Sequence, residues 1–149
     1  FLMRHCNTLP LSSNLKTLAK FNEAAGCLLK NGNFVLVYPE QSMWWNYRKP
    51  KPMKSGAFMI AAKNGVPVLP CFITMKDSDI MGDDGFYVQE YTIHISEPIY
   101  PDPQLAYRQQ IKDMMDRNFL EWKRIYEREY GLPLSYITED QSKLASLPT

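Results

Sequence analysis

The sequence predicts an α/β protein whose mostly parallel or mixed β-sheet is flanked by helices and followed by a long C-terminal helix. Two continuous apolar runs, Phe34–Tyr38 and Val66–Met75, are typical of strands covered on both faces. Between them, Lys54–Lys63 reads as a short buried helix, which gives the β-α-β order of an α/β fold. The chain has 149 residues, a length that fits within one domain.

The first predicted element is a helix that begins after Ser12 or Ser13, since either serine suits an N-cap. Asn31 and Gly32 close this segment as a C-cap does. Its apolar residues recur at helical spacing: Leu15, Leu18, Ala25 and Leu29.

The next elements are bounded by residues that interrupt regular structure. Pro39 ends the first strand, because proline cannot donate a hydrogen bond to a sheet ladder. Asn64 and Gly65 end the buried helix, and the second apolar strand follows from Val66.

A polar, turn-rich connection is predicted from Asp77 to Gly85. Its aspartates faintly resemble a calcium loop, but the carboxylate–glycine order and closing glutamate of an EF-hand are missing, which favours a solvated connection. The next segment is typical of a strand with one wet face, because apolar and polar side chains alternate along it: Tyr91, Ile93 and Ile95 with Glu90, Thr92 and His94.

A long helix is predicted to begin at Pro103, with Asp102 as its N-cap. Gly131 and Pro133 are predicted to end it. Charges of both signs are interspersed on its polar side, which favours packing against a core over a basic membrane-surface helix. Its apolar stripe is Ile111, Met115, Phe119, Trp122 and Tyr126. Its predicted ion pairs are Lys112–Asp116, Asp113–Arg117 and Lys123–Glu127. Residues 134–149 read as a loose C-terminal tail.

Composition and charge exclude several classes of function. A 45% hydrophobic and 22% charged content is that of an ordinary globular protein, and a net charge of +1 gives no basic field for nucleic acid. Three isolated cysteines and two histidines lack zinc-ligand spacing, so we expect core thiols and no metal site. The longest apolar stretch, Gly56–Met75, is broken by charged and proline residues and is not a membrane span. We expect a cytoplasmic location or the cytoplasmic side of a membrane.

The segment after Pro39 carries the candidate site. In open α/β sheets ligands bind beyond the carboxyl ends of strands, which is where Glu40, Gln41 and Ser42 lie. Four cations follow within one loop and supply the donors that a phosphate binds: Arg48, Lys49, Lys51 and Lys54. The alternative is a solvated surface loop whose glutamate pairs with a lysine.

Three aromatic residues in the same loop favour a binding surface over a solvated one. Trp44, Trp45 and Tyr47 are large rings in an irregular segment, and such rings usually line a pocket or an interface. Pro50 and Pro52 stiffen the loop, which reduces the entropy lost on binding.

Three blocks, "YPEQS", "KSGAF" and "GVPVLPCFI", resemble the later signature blocks of the glycerolipid acyltransferases, the family that includes lysophosphatidate acyltransferase. A later stretch, "ISEPIYPD", is similar to the Gly-Glu-Pro-Ile strand end of that family, so the resemblance runs from Thr8 to Asp102. We therefore assign residues 1–133 to an acyltransferase-like α/β domain. The matching residues are Tyr38, Pro39, Glu40 and Ser42, then Lys54, Gly56 and Ala57, then Val66, Pro67, Val68 and Pro70.

The resemblance implies an O-acyltransferase of phospholipid biosynthesis. Its donor would be an acyl thioester, acyl-CoA or acyl-carrier protein, and its acceptor a hydroxyl of a lysophospholipid or glycerol-phosphate-like molecule. It implies no metal or redox cofactor, contact with a membrane surface, and no nucleic acid. The substrate-binding residues that it implies are Pro39, Glu40, Gln41, Ser42, Arg48, Lys49, Lys54 and Gly56.

The sequence departs from the family at two binding positions. Gln41 stands where the family has a glycine that lets the backbone approach closely. Ser12 or Ser13 stands where an arginine that contacts the acceptor phosphate is expected.

The catalytic His-x-x-x-x-Asp of the family, a general base with its orienting carboxylate, is missing from this sequence. His5 has Pro10 at the aspartate position, and His94 has Ile99 there. His94 is therefore interpreted as a structural or solvent-facing strand residue, and His5 as a loop residue. Since the motif precedes the Pro-Glu block in the family, we expect it upstream of this sequence, and we expect this chain alone to be inactive.

A second hypothesis comes from a different class: a non-catalytic module that binds anionic lipid headgroups or a membrane surface. The aromatic and basic residues of the loop have the amphipathic chemistry of an interface anchor: Trp44, Trp45, Arg48, Lys49 and Lys51. A His-x-x-x-x-Asp upstream favours the enzyme, and its absence favours the binder.

Overall fold

The computed structural model describes residues 8–9, 14–42 and 44–136. Within these ranges the chain forms three helices and one two-stranded sheet, a small α/β fold. The elements in chain order are α1 Leu15–Lys30, α2 Gly56–Asn64, β1 Cys71–Met81, β2 Tyr87–Ile95 and α3 Tyr107–Tyr130.

Helix α1 ends where the sequence predicts and begins at a different cap. Asn14 is the N-cap, and its Oδ1 accepts hydrogen bonds from the backbone N–H of Lys16 at 2.9 Å and of Thr17 at 3.4 Å. The predicted caps, residues 12 and 13, lie outside the described residues. Asn31 is the C-cap and Gly32 has φ 76°, so the predicted stop is confirmed.

The prediction of a buried strand at Phe34–Tyr38 is wrong. This segment has no regular secondary structure, and Phe34 is 93% exposed. A continuous apolar run becomes a buried strand only where neighbouring strands and both sheet faces meet it. In the described part of the chain nothing pairs with the backbone of residues 34–37, so the apolar run stays in solvent.

The sheet is an antiparallel hairpin of β1 and β2, in which Ile73 lies opposite Ile93 and Met75 opposite Tyr91. The predicted parallel pairing is not found in the described residues, because a tight turn can join only antiparallel neighbours. Strand β1 starts after Pro70 rather than at residue 66, and continues into the segment predicted as a polar connection. Lys76 and Asp77 pair with polar residues of β2, and after a break in the register Met81 pairs with Tyr87.

The strand predicted around residue 93 is confirmed as β2, and its apolar side is the exposed one. Tyr91, Ile93 and Ile95 are each more than 60% exposed. The other side of the hairpin packs on α3 through Phe72 and Thr74, both buried. The strand register does not determine which side of the hairpin a helix covers, and here α3 covers the side that carries both apolar and polar residues.

Helix α3 stops at Gly131 as predicted, with φ 64°. It begins at Tyr107, five residues after the predicted cap, because Asp102 instead accepts a hydrogen bond from Gln104 N–H at 2.9 Å in a preceding turn. All three predicted ion pairs are present: Lys112–Asp116, Asp113–Arg117 and Lys123–Glu127. The buried side is rotated from the predicted stripe and consists of Met114, Asn118, Trp122, Ile125 and Tyr126.

Among the described residues, two apolar clusters form the core, and Met53 packs against both of them. The Asn118 amide also donates to the sulfur of Met53 at 3.3 Å. Met53 therefore fixes the chain immediately before α2, which sets the position of the loop that precedes it. The first cluster is Phe58, Ala61, Ile99 and Met114, and the second is Phe72, Trp122, Ile125 and Tyr126.

Candidate functional site

The candidate site is the loop of residues 39–54, hereafter the 39–54 loop, and its two ends are joined by hydrogen bonds. The backbone N–H of Lys54 donates to the carbonyl of Pro39 at 2.8 Å. The backbone N–H of Lys51 donates to Oε1 of Glu40 at 2.7 Å. The Pro-Glu turn therefore lies beside Lys54, at the entrance to α2.

Gln41 adopts the left-handed backbone conformation, with φ 56°, and its N–H donates to Tyr38 O at 3.3 Å. This is the region that favours glycine, because a side chain at positive φ costs of order 1 kcal/mol. The turn thus keeps the backbone shape that a glycine would take, although glutamine occupies the position.

Lys51 is a structural cation at the centre of the 39–54 loop, and 5% of the residue is exposed. Its Nζ donates to the carbonyl of Ser42 at 2.6 Å and to Ser42 Oγ at 3.0 Å. It also lies 4.2 Å from the ring centroid of Trp44 and 5.7 Å from that of Tyr47, within the range of cation–π attraction. Lys51 and Ser42 therefore hold the loop together.

Two of the predicted phosphate-binding cations have partners away from the Pro-Glu turn. The guanidinium of Arg48 forms an ion pair with Asp77 of β1 at 2.7 Å. The Nζ of Lys49 donates to the backbone carbonyl of Ser135 at 2.7 Å. Both donors are used to attach the loop to its surroundings.

Lys54 and Gly56 remain beside the Pro-Glu turn. The side chain of Lys54 is exposed and has no hydrogen-bond or ion-pair partner among the described residues. Gly56 is the first residue of α2, and a Cβ placed there would meet no atom within 4 Å. The N-cap Ser55 makes no side-chain cap and the first turn of α2 has no acidic residue, so the helix start has no anionic partner of its own.

Ser135 and Tyr136 contact the 39–54 loop, although the sequence predicts a loose tail from residue 134. The hydroxyl of Tyr136 donates to the carbonyl of Pro50 at 2.5 Å, and Ser135 accepts from Lys49. Burial, followed by the charges of Tyr47, Glu40 and Tyr126, raises the pKa of Tyr136 to about 12. One sequence signal was available, since Tyr136 is an aromatic residue in a stretch otherwise read as a polar tail.

Residues 1–74 match the family model described as Acyltransferase. The matched range contains the Pro-Glu turn, the start of α2 and the apolar block at residues 65–73, and it is consistent with the resemblance to the glycerolipid acyltransferases. It supports a general function in acyl transfer. Searches of curated proteins and of solved structures returned no match to this chain.

The histidine that follows the acyltransferase match has a structural role. His94 Nε2 lies 2.8 Å from Thr74 Oγ1, and its Nδ1 lies 3.3 Å from Nη2 of Arg128. Both ring nitrogens therefore have protein neighbours, as expected for a structural strand residue. His5 lies outside the described residues. Among those described, no group of three or more histidine, cysteine or acidic side chains is placed to hold a metal, and no helix is apolar over a length that would cross a bilayer.

A separate cleft of about 520 Å³ opens between the end of β2 and α3. Its cations have acidic partners: Arg124 pairs with Glu121 at 2.6 Å, and Arg117 pairs with Asp113 outside the cleft at 3.2 Å. The hydrogen bond from Arg124 holds the pKa of Glu121 below its ordinary value. None of the residues that line this cleft belongs to the 39–54 loop, so we do not assign it to acyl transfer.

Proposed function

We propose that this chain supplies the acceptor-binding part of an O-acyltransferase of phospholipid biosynthesis. The acyl group would pass from acyl-CoA or acyl-carrier protein to a hydroxyl of a glycerol-phosphate-like acceptor of the lysophosphatidate type. The acyltransferase match of residues 1–74 supports the acyl-transfer part of this proposal. The charge arrangement of the 39–54 loop supports an anionic acceptor.

One observation supports the acceptor assignment. The ammonium group of Lys54 has no partner among the described residues, and the backbone of Lys54 is hydrogen-bonded to Pro39, next to Glu40 and the start of α2. A phosphate there would receive a charge-assisted hydrogen bond from Lys54 and favourable interaction with the helix N-terminus. Glu40 would help to shape the same recess. Its Oε1 already accepts from Lys51 N–H, so we give it an organising role rather than that of a base.

Acyl transfer requires a general base, and this sequence lacks the His-x-x-x-x-Asp motif that supplies the base in the glycerolipid acyltransferases. A base takes the proton of the acceptor hydroxyl, the oxygen attacks the thioester carbonyl carbon, and the carbon–sulfur bond breaks to release the thiol. Neither histidine is followed by aspartate at the fifth position. We therefore propose that this chain alone does not turn over. Genuine transfer from an acyl thioester to lysophosphatidate by the isolated chain would refute this statement.

The acceptor assignment is tested by the binding of glycerol 3-phosphate, with glycerol as the uncharged comparison. Lys54→Met should weaken binding of glycerol 3-phosphate by about tenfold, which corresponds to one partly exposed charge-assisted hydrogen bond of about 1.4 kcal/mol. Lys63→Met is the matched control, because Lys63 is an exposed lysine in the last turn of α2 and leaves the helix start unchanged. Equal losses for the two variants would contradict a specific role for Lys54.

A second candidate function, binding to an anionic lipid surface, is favoured by the aromatic residues of the loop. Trp45 is 81% exposed and meets Phe86 of the hairpin turn edge-on, with ring centroids 6.4 Å apart. Aromatic rings of this kind settle at the membrane interface. Sedimentation with phosphatidylserine vesicles, using a Trp45→Ser and Phe86→Ser double variant, tests this candidate. Unchanged sedimentation of the double variant would count against it.

A further inference from the structure

Three contacts attach residues 134–136 to the rest of the molecule. The backbone N–H of Leu134 donates to Glu127 Oε1 at 3.0 Å, which connects the segment to α3. Ser135 O accepts from Lys49 Nζ at 2.7 Å, and the Tyr136 hydroxyl donates to Pro50 O at 2.5 Å. Two successive residues of the 39–54 loop are therefore held by two successive residues 86 positions later in the chain.

The contact to Lys49 changes what the loop presents to a ligand. A lysine ammonium has three donors, and one of them here is directed at the backbone carbonyl of Ser135. Without that carbonyl, a flexible lysine two residues before Lys51 could sample the surface around the turn and add a second cation to it.

We propose that residues 134–136 are a clamp that positions the 39–54 loop and withholds Lys49 from the acceptor, so that Lys54 is the cation that meets the phosphate. This inference rests on the proposed acceptor-binding role of the loop. In this proposal Tyr136 and Ser135 are positioning residues, because they affect acceptor binding only through the 39–54 loop. The clamp lies outside the range of the acyltransferase match, so the match does not account for it.

The first test measures the chemical reactivity of Lys49 and needs no ligand. A chain ending at residue 133 removes the clamp, and a chain ending at residue 136 keeps it as the matched control. Acetylation with an amine-reactive ester, read by mass spectrometry, should modify Lys49 several-fold faster in the shorter chain, approaching the rate at Lys54. Equal rates at Lys49 in the two chains would overturn the clamp.

A full-length variant repeats the test in case the shorter chain does not fold. Tyr136→Phe removes one hydroxyl and keeps the ring, so Pro50 O loses its donor while packing is preserved. We expect faster hydrogen exchange at the backbone N–H groups of Lys51 and Lys54, with unchanged exchange in α3 beyond its last turn. Unchanged exchange in the loop would overturn the positioning role.

The ligand test separates a clamp from simple structural support. In the full chain, Lys49→Met should leave the affinity for glycerol 3-phosphate within about twofold, because Lys49 is withheld from the phosphate and Tyr136 still holds the loop through Pro50. In the chain ending at residue 133, the same substitution should weaken binding several-fold, because Lys49 has become available. If no form of the chain bound glycerol 3-phosphate, the proposed function would fail, and the reactivity and exchange measurements would still decide whether the clamp exists.

Discussion

Lys51 offers the sharpest test of how the 39–54 loop is built, and we predict that Lys51→Met destabilises the protein without acting through the ligand. The substitution removes two charge-assisted hydrogen bonds to Ser42, each worth about 1.5–3 kcal/mol. It also removes a cation–π contact with Trp44 worth about 0.5–2 kcal/mol. Against these losses, methionine avoids the cost of burying a cation, which is several kcal/mol, and keeps most of the apolar stem.

The balance of these terms is a loss of about 1–2 kcal/mol in the free energy of unfolding. Urea denaturation followed by tryptophan fluorescence measures it, since Trp44 lies against the lysine. With an m-value of about 1–3 kcal/mol/M, the midpoint should fall by about 0.3–2 M. A midpoint equal to or above that of the original protein would refute the structural role of Lys51.

Lys54→Met is the matched control, because it removes the same charge from the same loop. Lys54 is exposed and unpaired within the described part of the chain, so its substitution should change stability by less than about 0.5 kcal/mol. The two variants should therefore separate: Lys51→Met lowers stability, and Lys54→Met lowers affinity for the phosphate-bearing acceptor. A similar loss of stability in both would show that the two lysines share one role.

Three further predictions concern single contacts around the loop. Gln41→Val should lower the free energy of unfolding by about 1–2 kcal/mol, because a β-branched residue resists the left-handed conformation. Gln41→Gly should leave the free energy of unfolding nearly unchanged, and thermal unfolding of the two variants compares them. Arg48→Met should cost less than about 1 kcal/mol, since the Arg48–Asp77 pair is partly exposed, and added salt should shrink the difference. The pKa of Tyr136 is raised to about 12, so its protonated phenol stabilises the folded protein below pH 10, and this stabilisation is lost as the pH rises towards 12. An ultraviolet titration should show a late tyrosinate step in the original protein and lack it in Tyr136→Phe.

Local signals in the sequence predicted local structure correctly. The left-handed glycines after α2 and α3, and the ion pairs at four-residue spacing along α3, each depend on residues within one or two helical turns. Such interactions are specified by neighbours in the chain, so a pattern of residue types is sufficient to place them.

The strands show where that reasoning stops. A run such as Phe34–Tyr38 has the composition of a buried strand, but a strand exists only if a distant segment pairs with it and other elements cover its faces. The same limit applies to β2. Its alternating pattern correctly predicted a strand, but the pattern did not show that α3 covers the side of the hairpin that carries Phe72 and Thr74 and leaves Ile93 exposed. Pairing and coverage are non-local, and no spacing within the segment records them.

The candidate site divides in the same way. The residues of the 39–54 loop predicted a turn rich in cations and aromatic rings, and the four cations suggested four hydrogen-bond donors to a phosphate. In the structure three of them are already bonded: Arg48 to Asp77, Lys49 to Ser135 and Lys51 to Ser42. The partners lie 29, 86 and 9 residues away, so the sequence could not indicate that these donors are occupied.

The charge that a ligand meets is therefore set by these contacts more than by the number of basic residues. If all four cations faced one recess, the loop would favour any polyanion and discriminate little among phosphates. With three cations engaged, the proposed recognition of a phosphate would depend on Lys54 and the start of α2, and we expect such a site to suit a single phosphate group. The same contacts attach the loop to β1 and to residues 134–136, so the groups that limit its charge also fix its shape. Selectivity for one phosphate and rigidity of the loop are thus expected to change together when Lys49 or Arg48 is released.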